Sequence, residues 1–298
     1  MTGFRTAIGI FGLENLFGGD FTKVIDVVAR ADALGIDQMV MTDHVVMGKR
    51  TDRYPYGRFP LPPEAPWYEP VVSLSAFAAR TSRIRLATSV IISPLRPPVL
   101  FAKQIATLDV LSGGRLDLGV GTGWQREEYE ASMLPFAGRG RRLEDQIRAC
   151  RVLWNEAPAS FESETVSFQD VYSRPAPLQG GGLPVWFGLA PTPVNCRRIA
   201  ELGCGWLPIS QDPAEIAQGV TALRRAFEAA GRDPAELVVR AQLPPRTGSD
   251  GAPDLEATLT GVDAALEAGA THVELLPFLF CRAPEALDPC LERIARLS

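Results

Sequence analysis

The feature that most constrains the fold is a regular alternation of short apolar segments with longer segments of helical spacing. It is clearest over residues 84–129, where two runs dense in Leu, Val and Ile flank a helical stretch of about four turns. A crossover helix of that length lets the flanking strands lie parallel, and apolar density on both faces is typical of strands covered on both sides. The segment therefore predicts a parallel strand, helix, strand unit.

The same alternation runs along the whole chain. Eight strands are predicted at Thr6–Gly12, Asp37–Thr42, Ile84–Ile92, Arg115–Val120, Pro184–Leu189, Trp206–Ile209, Leu237–Gln242 and His272–Leu276. Their helices are predicted at Phe21–Leu34, Glu69–Ala79, Pro97–Leu111, Arg139–Trp154, Val194–Leu202, Pro213–Ala230, Asp254–Ala268 and Pro284–Leu297. Eight such units in 298 residues predict a single-domain α/β protein, a (β/α)8 TIM barrel, because one right-handed winding of that number closes on itself. An open doubly wound sheet is the alternative, since closure cannot be read from a sequence.

Three segments interrupt the alternation and are predicted to be surface insertions: residues 43–66 after the second strand, 155–182 after the fourth, and 244–253. In the second of them, Phe161-Glu162 and Val166-Ser167-Phe168 lie between Pro and Gly residues, which predicts a small hairpin that could act as a lid. An aromatic pocket wall or a subunit contact is predicted from Tyr54, Tyr56, Phe59, Trp67 and Tyr68. The shapes of these loops would decide the substrate, and the sequence does not show them.

Composition argues against several classes of protein. With 46% apolar residues, 22% charged residues and a net charge of -5, the chain has no basic excess that would favour nucleic acid. The apolar run Thr6–Phe11 is too short for a signal-peptide core, and no run approaches the ~18 residues of a membrane span. We therefore expect a cytoplasmic protein with no nucleic-acid or membrane partner. The five cysteines are widely spread without a C-x-x-C, so no disulfide framework and no metal site is expected.

The barrel prediction separates the two histidines. Residues just after barrel strands form the reactive face, and residues just before them form the face that serves stability. His44 follows the second strand and is a candidate to donate or relay a proton near neutral pH. The alternative is that Asp43 and His44 only cap and satisfy a loop. His272 begins the eighth strand and is predicted to be structural.

A glycine-rich turn, GVGTG at residues 119–123, follows the fourth strand. It can admit close backbone approach to a ligand, and Thr122 adds a hydroxyl. It is neither a P-loop nor a Rossmann fingerprint, because no Gly-Lys-Ser/Thr follows and the turn does not follow a first strand. Trp124 fits either stacking on a planar ring or a core role. Glu127 and Glu128 are acid or base candidates, although residues that open a helical turn are more often caps.

The segment 188–194 runs from the fifth strand into a helix. Free amides at the helix start, with the Thr192 hydroxyl and Arg197 one turn further on, can hold a phosphate. A plain capped helix start is an equally weighted alternative. Arg240 and Gln242 end the seventh strand and are expected to point toward the same mouth of the barrel.

Together these motifs resemble the luciferase-like monooxygenase superfamily, and within it the coenzyme F420-dependent oxidoreductases. The resemblance covers nearly the whole chain. Its segments are TDHV at 42–45, SVIISPLRPPVLFAKQIATLDVLSGGRLDLGVGTGW at 89–124, VWFG at 185–188 and GCGWLP at 203–208. The most specific part is LSGGR at 111–115 leading into GVG at 119–121.

The resemblance implies a flavin or deazaflavin at the carboxyl face of the barrel, and hydride transfer between coenzyme F420 and a small organic substrate. It implies a cis peptide bond between Ser89 and Val90 that bulges against the ring, and it places the candidate catalytic residues His44 and Asp43 near that ring. It also implies a homodimer, which is common among relatives. Cofactor contacts are implied for Ser89, Val90, Gly121, Thr122, Gly123, Trp124, Gly188, Leu189, Ala190 and Thr192.

Two departures from the family pattern bear on function. Gly188-Leu189-Ala190-Pro191-Thr192 stands where relatives usually have two adjacent glycines and a serine, so side chains occupy a site of close phosphate approach. Trp124 stands where the sugar-phosphate dehydrogenase branch has an acid, which disfavours oxidation of glucose 6-phosphate. Two alternatives stay open: an FMN-dependent monooxygenase of the same superfamily, and a cofactor-free barrel that acts as a binding protein.

Overall fold

The computed structural model describes residues 3–179 and 182–297. Positions 180 and 181, which belong to the predicted insertion 155–182, lie outside the described residues. The strands are β1 (Arg5–Gly9), β2 (Gln38–Met41), β3 (Arg85–Thr88), β4 (Leu116–Val120), β5 (Ala159–Glu162), β6 (Ser167–Val171), β7 (Val185–Phe187), β8 (Gly205–Trp206), β9 (Val238–Gln242), β10 (Arg246–Thr247), β11 (Pro253–Asp254) and β12 (His272–Leu275). The helices are α1 (Thr22–Leu34), α2 (Pro70–Ala78), α3 (Pro98–Leu111), α4 (Arg126–Ala131), α5 (Arg139–Asn155), α6 (Pro193–Leu202), α7 (Pro213–Ala229), α8 (Leu255–Leu259), α9 (Val262–Glu267) and α10 (Leu287–Ala295).

Eight of the strands close a barrel in the order β1, β2, β3, β4, β7, β8, β9, β12 and back to β1. Every neighbouring pair is parallel. The predicted TIM barrel is therefore confirmed, and the open doubly wound alternative is wrong. Closure has a functional consequence, because it gathers the carboxyl ends of all eight strands at one mouth.

Local sequence signals set the helix ends that surround this mouth. The Glu69 side chain accepts a hydrogen bond from the Val72 amide and caps α2, whose first residue is Pro70. Asp212 caps α7 in the same way, through the Ala214 amide. At its other end α1 stops at Gly35, which adopts φ 89° in the left-handed region.

Several predicted boundaries differ from the structure by a few residues, and three of these differences affect the form of an element. The third strand was expected to reach Ile92, but β3 ends at Thr88, and Ile91 rejoins the sheet only through an isolated bridge to Val120. The sixth strand is only two residues long, because the predicted strand contains Pro208, which has no N–H to donate to a ladder. The helix predicted over Asp254–Ala268 is two short helices interrupted at residues 260–261. In all three places the apolar spacing of the sequence continues past the point where the element ends, so the spacing alone does not mark that end.

The insertions are where they were predicted. Residues 43–66 form a long loop with one 3-10 turn at Thr51–Arg53. The expected hairpin is confirmed as the antiparallel pair of β5 and β6. The segment 244–253 was predicted only as an insertion of undetermined shape, and in the structure β10 and β11 pair there as a small antiparallel ribbon.

No helix within residues 3–179 and 182–297 is both long and apolar enough to cross a membrane. The cysteines are free thiols, and all except the half-buried Cys204 are buried. Burial raises the pKa of Cys204 to about 11, so this thiol is neutral at physiological pH.

The barrel interior is charged as well as apolar. The Asp117 carboxylate accepts hydrogen bonds from Gln38 Nε2 at 2.6 Å and from Arg85 at 2.7 and 2.8 Å. Arg240 Nη1 donates to Gln38 Oε1 at 2.7 Å, and Arg240 Nε lies 2.9 Å from Glu274 Oε2. Arg240 is buried and does not line the cavity at the mouth, so the prediction that it points there is wrong; its guanidinium is held by the carboxylate of Glu274 on the neighbouring strand β12. Gln242 does line the mouth.

His272 is buried at the amino-terminal end of the barrel, as expected for a structural residue. Its ring is edge-on to Trp186 with centroids 5.2 Å apart, and Nδ1 lies 2.9 Å from the Thr271 hydroxyl. Burial lowers the pKa of His272 to about 4.

This shift predicts an acid-side loss of stability. The unfolded chain protonates His272 near its ordinary pKa of about 6.5, whereas the folded protein does not, so His272 has no effect on stability above that pH. As the pH falls from about 6.5 to 4, the free energy of unfolding should drop by about 3 kcal/mol on this account. Urea unfolding of wild type and His272→Asn across this range checks it, and the variant should show the flatter pH dependence. Parallel pH curves for the two proteins would contradict it.

Candidate functional site

A cavity of about 470 Å³ opens at the carboxyl end of the barrel strands, where α/β barrels place their active sites. Most of the predicted site residues line this one cavity, although they come from four different loops. They are Asp43, His44, Ser89, Val90, Thr122, Gly123, Trp124, Gly188, Leu189 and Ala190. Two predicted residues have other positions: Gly121 packs behind Val90, and the Thr192 hydroxyl caps α6.

His44 forms a buried pair with Glu128. Its Nδ1 lies 3.1 Å from Glu128 Oε2, while Glu128 Oε1 accepts a hydrogen bond from the Val45 amide at 2.6 Å. The Glu128 side chain has no exposed surface and that of His44 has 8%. A carboxylate on one ring nitrogen fixes the ring orientation and leaves Nε2 as the nitrogen for a ligand.

The expectation that Glu128 caps a helix is wrong. The N-cap of α4 is Gln125, and Glu128 lies in the first turn, where its buried carboxylate contacts His44 and the Val45 amide. Sequence contained one signal for this pairing: His44 and Glu128 both follow barrel strands, so both lie at the same rim. Which side of α4 faces that rim could not be read from six residues.

Asp43 organises the loop that follows β3. Its carboxylate accepts from the Ile92 amide at 2.8 Å and from both terminal nitrogens of Arg96 at 2.7 and 3.0 Å. Arg96 also contacts Glu69 at 3.0 Å. Burial tends to lower the pKa of Arg96, yet its pairs with Asp43 and Glu69 raise that pKa overall. Asp43 thus lines the cavity as a carboxylate whose negative charge is compensated by Arg96. No motif in the sequence had indicated Arg96 as its partner.

The Ser89–Val90 peptide bond is cis, which confirms the expectation drawn from the resemblance. The Val90 side chain then lies between two glycines. A Cβ on Gly121 would lie 2.5 Å from Val90 Cγ2, and one on Gly188 would lie 2.5 Å from Val90 Cγ1. The glycine at 121 had been expected to make room for a ligand, but it makes room for Val90. Val90 in turn forms part of the cavity wall.

The contact between Gly188 and Val90 predicts a compensating pair of substitutions. Gly188→Ala alone should lower the free energy of unfolding by about 1–3 kcal/mol, because the added methyl overlaps Val90 Cγ1. In a Val90→Ala background the same change should cost much less, since the remaining neighbours of the new Cβ are 3.8 Å or more away. A double-mutant cycle by urea unfolding measures the coupling. Strictly additive effects would show that Val90 does not set the requirement for glycine.

The loop at 188–194 offers few free amides to an anion. The amides of Gly188 and Thr192 already donate to Val120 O and Ala190 O at 2.9 and 2.8 Å, and prolines 191 and 193 have no N–H. Leu189 turns its side chain into the core, so it does not fill the anion position as the departure from the family pattern suggested. These contacts favour the alternative of a capped helix start.

The nearby cations are arranged differently from expectation. Arg197 lies on the exposed face of α6, with its Nε 3.8 Å from Glu201, and it does not line the cavity. Arg139, the first residue of α5, does line it. Its guanidinium lies 3.9 Å from the centre of the Phe136 ring, and its Nε is 3.4 Å from Gly123 O. Arg139 was missed because helix periodicity alone does not distinguish one arginine among several in RGRR.

The prediction that aromatic residues near the insertion after the second strand line a pocket is largely confirmed. Four of the five residues line the cavity, namely Tyr54, Tyr56, Phe59 and Trp67. Tyr68 does not, because it stacks on Phe21 with ring centroids 3.7 Å apart. The long loop at 43–66 therefore closes over the mouth beside His44.

The sequence pattern behind this site matches a known family. Residues 8–267 match the model of the luciferase-like monooxygenases. The chain belongs to the luciferase-like monooxygenase family. The cavity described above is thus the candidate active site of a luciferase-like protein, and the recognition based on sequence motifs is confirmed at the level of the family.

The chain is also similar in sequence to individual proteins. An uncharacterized protein of Mycobacterium tuberculosis is 38% identical over 177 residues, which cover 59% of this chain and 62% of that protein. An F420-dependent glucose-6-phosphate dehydrogenase of Kineococcus radiotolerans is 30% identical over 222 residues, which cover 72% of this chain and 61% of the enzyme. Both matches therefore span less than two thirds of the relative's own length.

A solved structure shares the fold over nearly the whole chain. The monooxygenase RslO1 from Streptomyces bottropensis superposes with a TM-score of 0.78 at 20% sequence identity, covering 98% of both chains. At that identity the likeness concerns the barrel architecture alone.

Proposed function

We propose that this protein is an oxidoreductase that transfers a hydride between coenzyme F420 and a small organic substrate in the cavity at the barrel mouth. One observation carries the proposal: His44, held from behind by Glu128, lines the same cavity as Val90 and the loops at 122–124 and 188–190. A side chain that can accept or donate a proton, His44, thus lies in the same cavity as Val90, against which a planar ring can pack. The F420-dependent relative supports this choice of cofactor.

The residues present fit a deazaflavin or a flavin. Val90, backed by two glycines, offers a smooth apolar surface for the ring. Gly123 and the backbone at 188–190 leave space along the wall for the tail. Arg139 and Asn195 also line the cavity and can bind the polar tail, with Arg139 supplying positive charge for a phosphate. The anion would then be held mainly by a side chain, since the start of α6 has few amides to offer.

The chemistry divides between cofactor and protein. The bound cofactor supplies the hydride donor or acceptor. His44 Nε2 would accept a proton from a substrate hydroxyl, or return one to a carbonyl oxygen. Glu128 stabilises the imidazolium that forms, and because it is buried its interaction with the ring is little screened by water. The aromatic loop over the mouth excludes water from the reacting groups.

Cofactor titration tests the proposal. The purified protein would be titrated with coenzyme F420 and, separately, with FMN, following cofactor absorbance and tryptophan fluorescence. We expect saturable binding of F420, tighter than that of FMN, and weaker F420 binding in Arg139→Gln. Binding of FMN alone, together with oxygen consumption, would point instead to a flavin monooxygenase. No saturable binding of either cofactor would overturn both enzyme assignments and favour a binding protein.

A further inference from the structure

The substrate side of the cavity is enclosed by aromatic rings. Five residues form what we call the aromatic wall: Tyr54, Tyr56, Phe59, Trp67 and Trp124. Three of these rings are near the catalytic candidate, with the centroids of Trp67, Trp124 and Phe59 lying 4.6, 6.1 and 6.2 Å from that of His44. The rings of Trp67 and Trp124 are 72° and 81° from the His44 plane, so they stand edge-on around it.

The wall is also packed within itself. Phe59 and Trp124 have centroids 5.3 Å apart, and Tyr54 lies 5.1 Å from Trp124 and 5.2 Å from Phe59. Mutual edge contacts of this kind hold rings in place and favour a preformed shape. Burial raises the pKa of both Tyr54 and Tyr56, so the phenols are uncharged at physiological pH. The surface offered to a substrate is therefore apolar and neutral.

The charges around His44 do not suit an anionic substrate. Asp43 is neutralised by Arg96, and the carboxylate of Glu128 lies directly behind the imidazole. Among the described residues that line the cavity, Arg139 is the one arginine or lysine. Arg139 is held over Phe136 beside Gly123, on the segment where the cofactor tail is proposed to run. A phosphate on the substrate would lose its hydration at the aromatic wall with no cation of its own to replace it.

We infer that the substrate is uncharged and mainly apolar, a cyclic or aromatic alcohol or ketone whose ring packs against Phe59, Trp67 and Trp124 with its oxygen toward His44. Sugar phosphates are excluded, in contrast to the F420-dependent glucose-6-phosphate dehydrogenase to which the chain is similar. This inference rests on the proposed function for the identity of the reacting group. The affinity of the aromatic wall for an apolar ring does not depend on it.

Ligand binding measured by saturation-transfer NMR tests the inference. The probes are cyclohexanone, a neutral apolar ketone, and glucose 6-phosphate, each titrated into the whole 298-residue chain alone and into the same chain loaded with F420. We expect saturable binding of cyclohexanone and none of glucose 6-phosphate. Trp124→Leu should weaken cyclohexanone binding about tenfold, because it removes a ring from the wall while keeping an apolar side chain. Phe59→Leu should weaken it in the same direction.

A matched control comes from an aromatic residue outside the cavity. Tyr172 is 75% exposed, so Tyr172→Leu should leave the affinity for cyclohexanone unchanged. Trp67→Phe keeps a ring beside His44 but removes the indole N–H, and it should retain most of the affinity if packing dominates.

The outcomes separate this inference from the proposed function. Saturable binding of glucose 6-phosphate without binding of cyclohexanone would overturn the inference while leaving F420 chemistry intact. Wild-type affinity in both Trp124→Leu and Phe59→Leu would also overturn it, because the ring would then bind elsewhere. If neither F420 nor FMN binds but cyclohexanone still binds in a Trp124-dependent way, the proposed function fails and the apolar pocket stands.

Discussion

Replacing His44 with asparagine is expected to lower turnover by about 10²- to 10⁴-fold, the usual contribution of a positioned general acid or base. Asparagine keeps a hydrogen-bonding group of similar size but cannot change its protonation state. The measurement is the rate of reduced F420 oxidation with cyclohexanone, together with the affinity for F420. Because His44 contributes to proton transfer and not to holding the tail of the cofactor, F420 affinity should change little. Undiminished turnover in His44→Asn would remove this residue from the mechanism.

Two further variants make this prediction specific. Glu128→Gln keeps an oxygen that can accept from the Val45 amide but removes the charge behind the imidazole. It should therefore lower turnover and shift the pH–rate profile toward lower pH, since the imidazolium loses its partner. His272→Asn is the matched control, because this second histidine is buried near Trp186 at the amino-terminal end of the barrel. An unshifted pH profile in Glu128→Gln would mean that Glu128 serves structure alone.

Substituting Gly119 with alanine is expected to lower the free energy of unfolding by about 4 kcal/mol, the upper end of single-residue effects. A Cβ at this position would lie 1.9 Å from the Thr88 carbonyl oxygen, which is backbone and cannot rotate away. The new methyl would also disturb the Thr88 hydroxyl, which donates to Gly119 O at 2.6 Å and accepts from Gly119 N at 2.9 Å. These bonds tie β3 to β4 directly below the cavity.

Urea unfolding followed by circular dichroism measures this loss, with Gly140→Ala as the control. A Cβ on Gly140 would meet its nearest neighbour, Arg198, at 3.7 Å, which is ordinary contact. Since Gly140 lies in the first turn of α5, alanine there should be neutral or stabilising by up to about 1 kcal/mol. Similar unfolding curves for the two variants would show that β3 and β4 can separate without cost.

The site illustrates where inference from sequence stopped. His44 was found because a histidine directly after a predicted strand must lie at the barrel mouth. For Glu128 both an acid or base role and a helix cap stayed open, because a short turn has no periodicity from which its inward face could be read. Gly121 was correctly singled out, but for a ligand, when the neighbour that requires glycine is Val90, a residue distant in the chain.

The sequence by itself determined the eight strand and helix units, the barrel class, the family, and the rim at which chemistry would be found, because these depend on local apolar spacing and on contiguous motifs. The tertiary structure alone decided which polar groups pair. It set Glu128 behind His44, Arg96 on Asp43, Arg240 deep in the interior and Arg139 at the cavity. The physical reason is that a buried charge is tolerated only beside a partner, and in a closed barrel those partners come from strands and loops far apart in the chain.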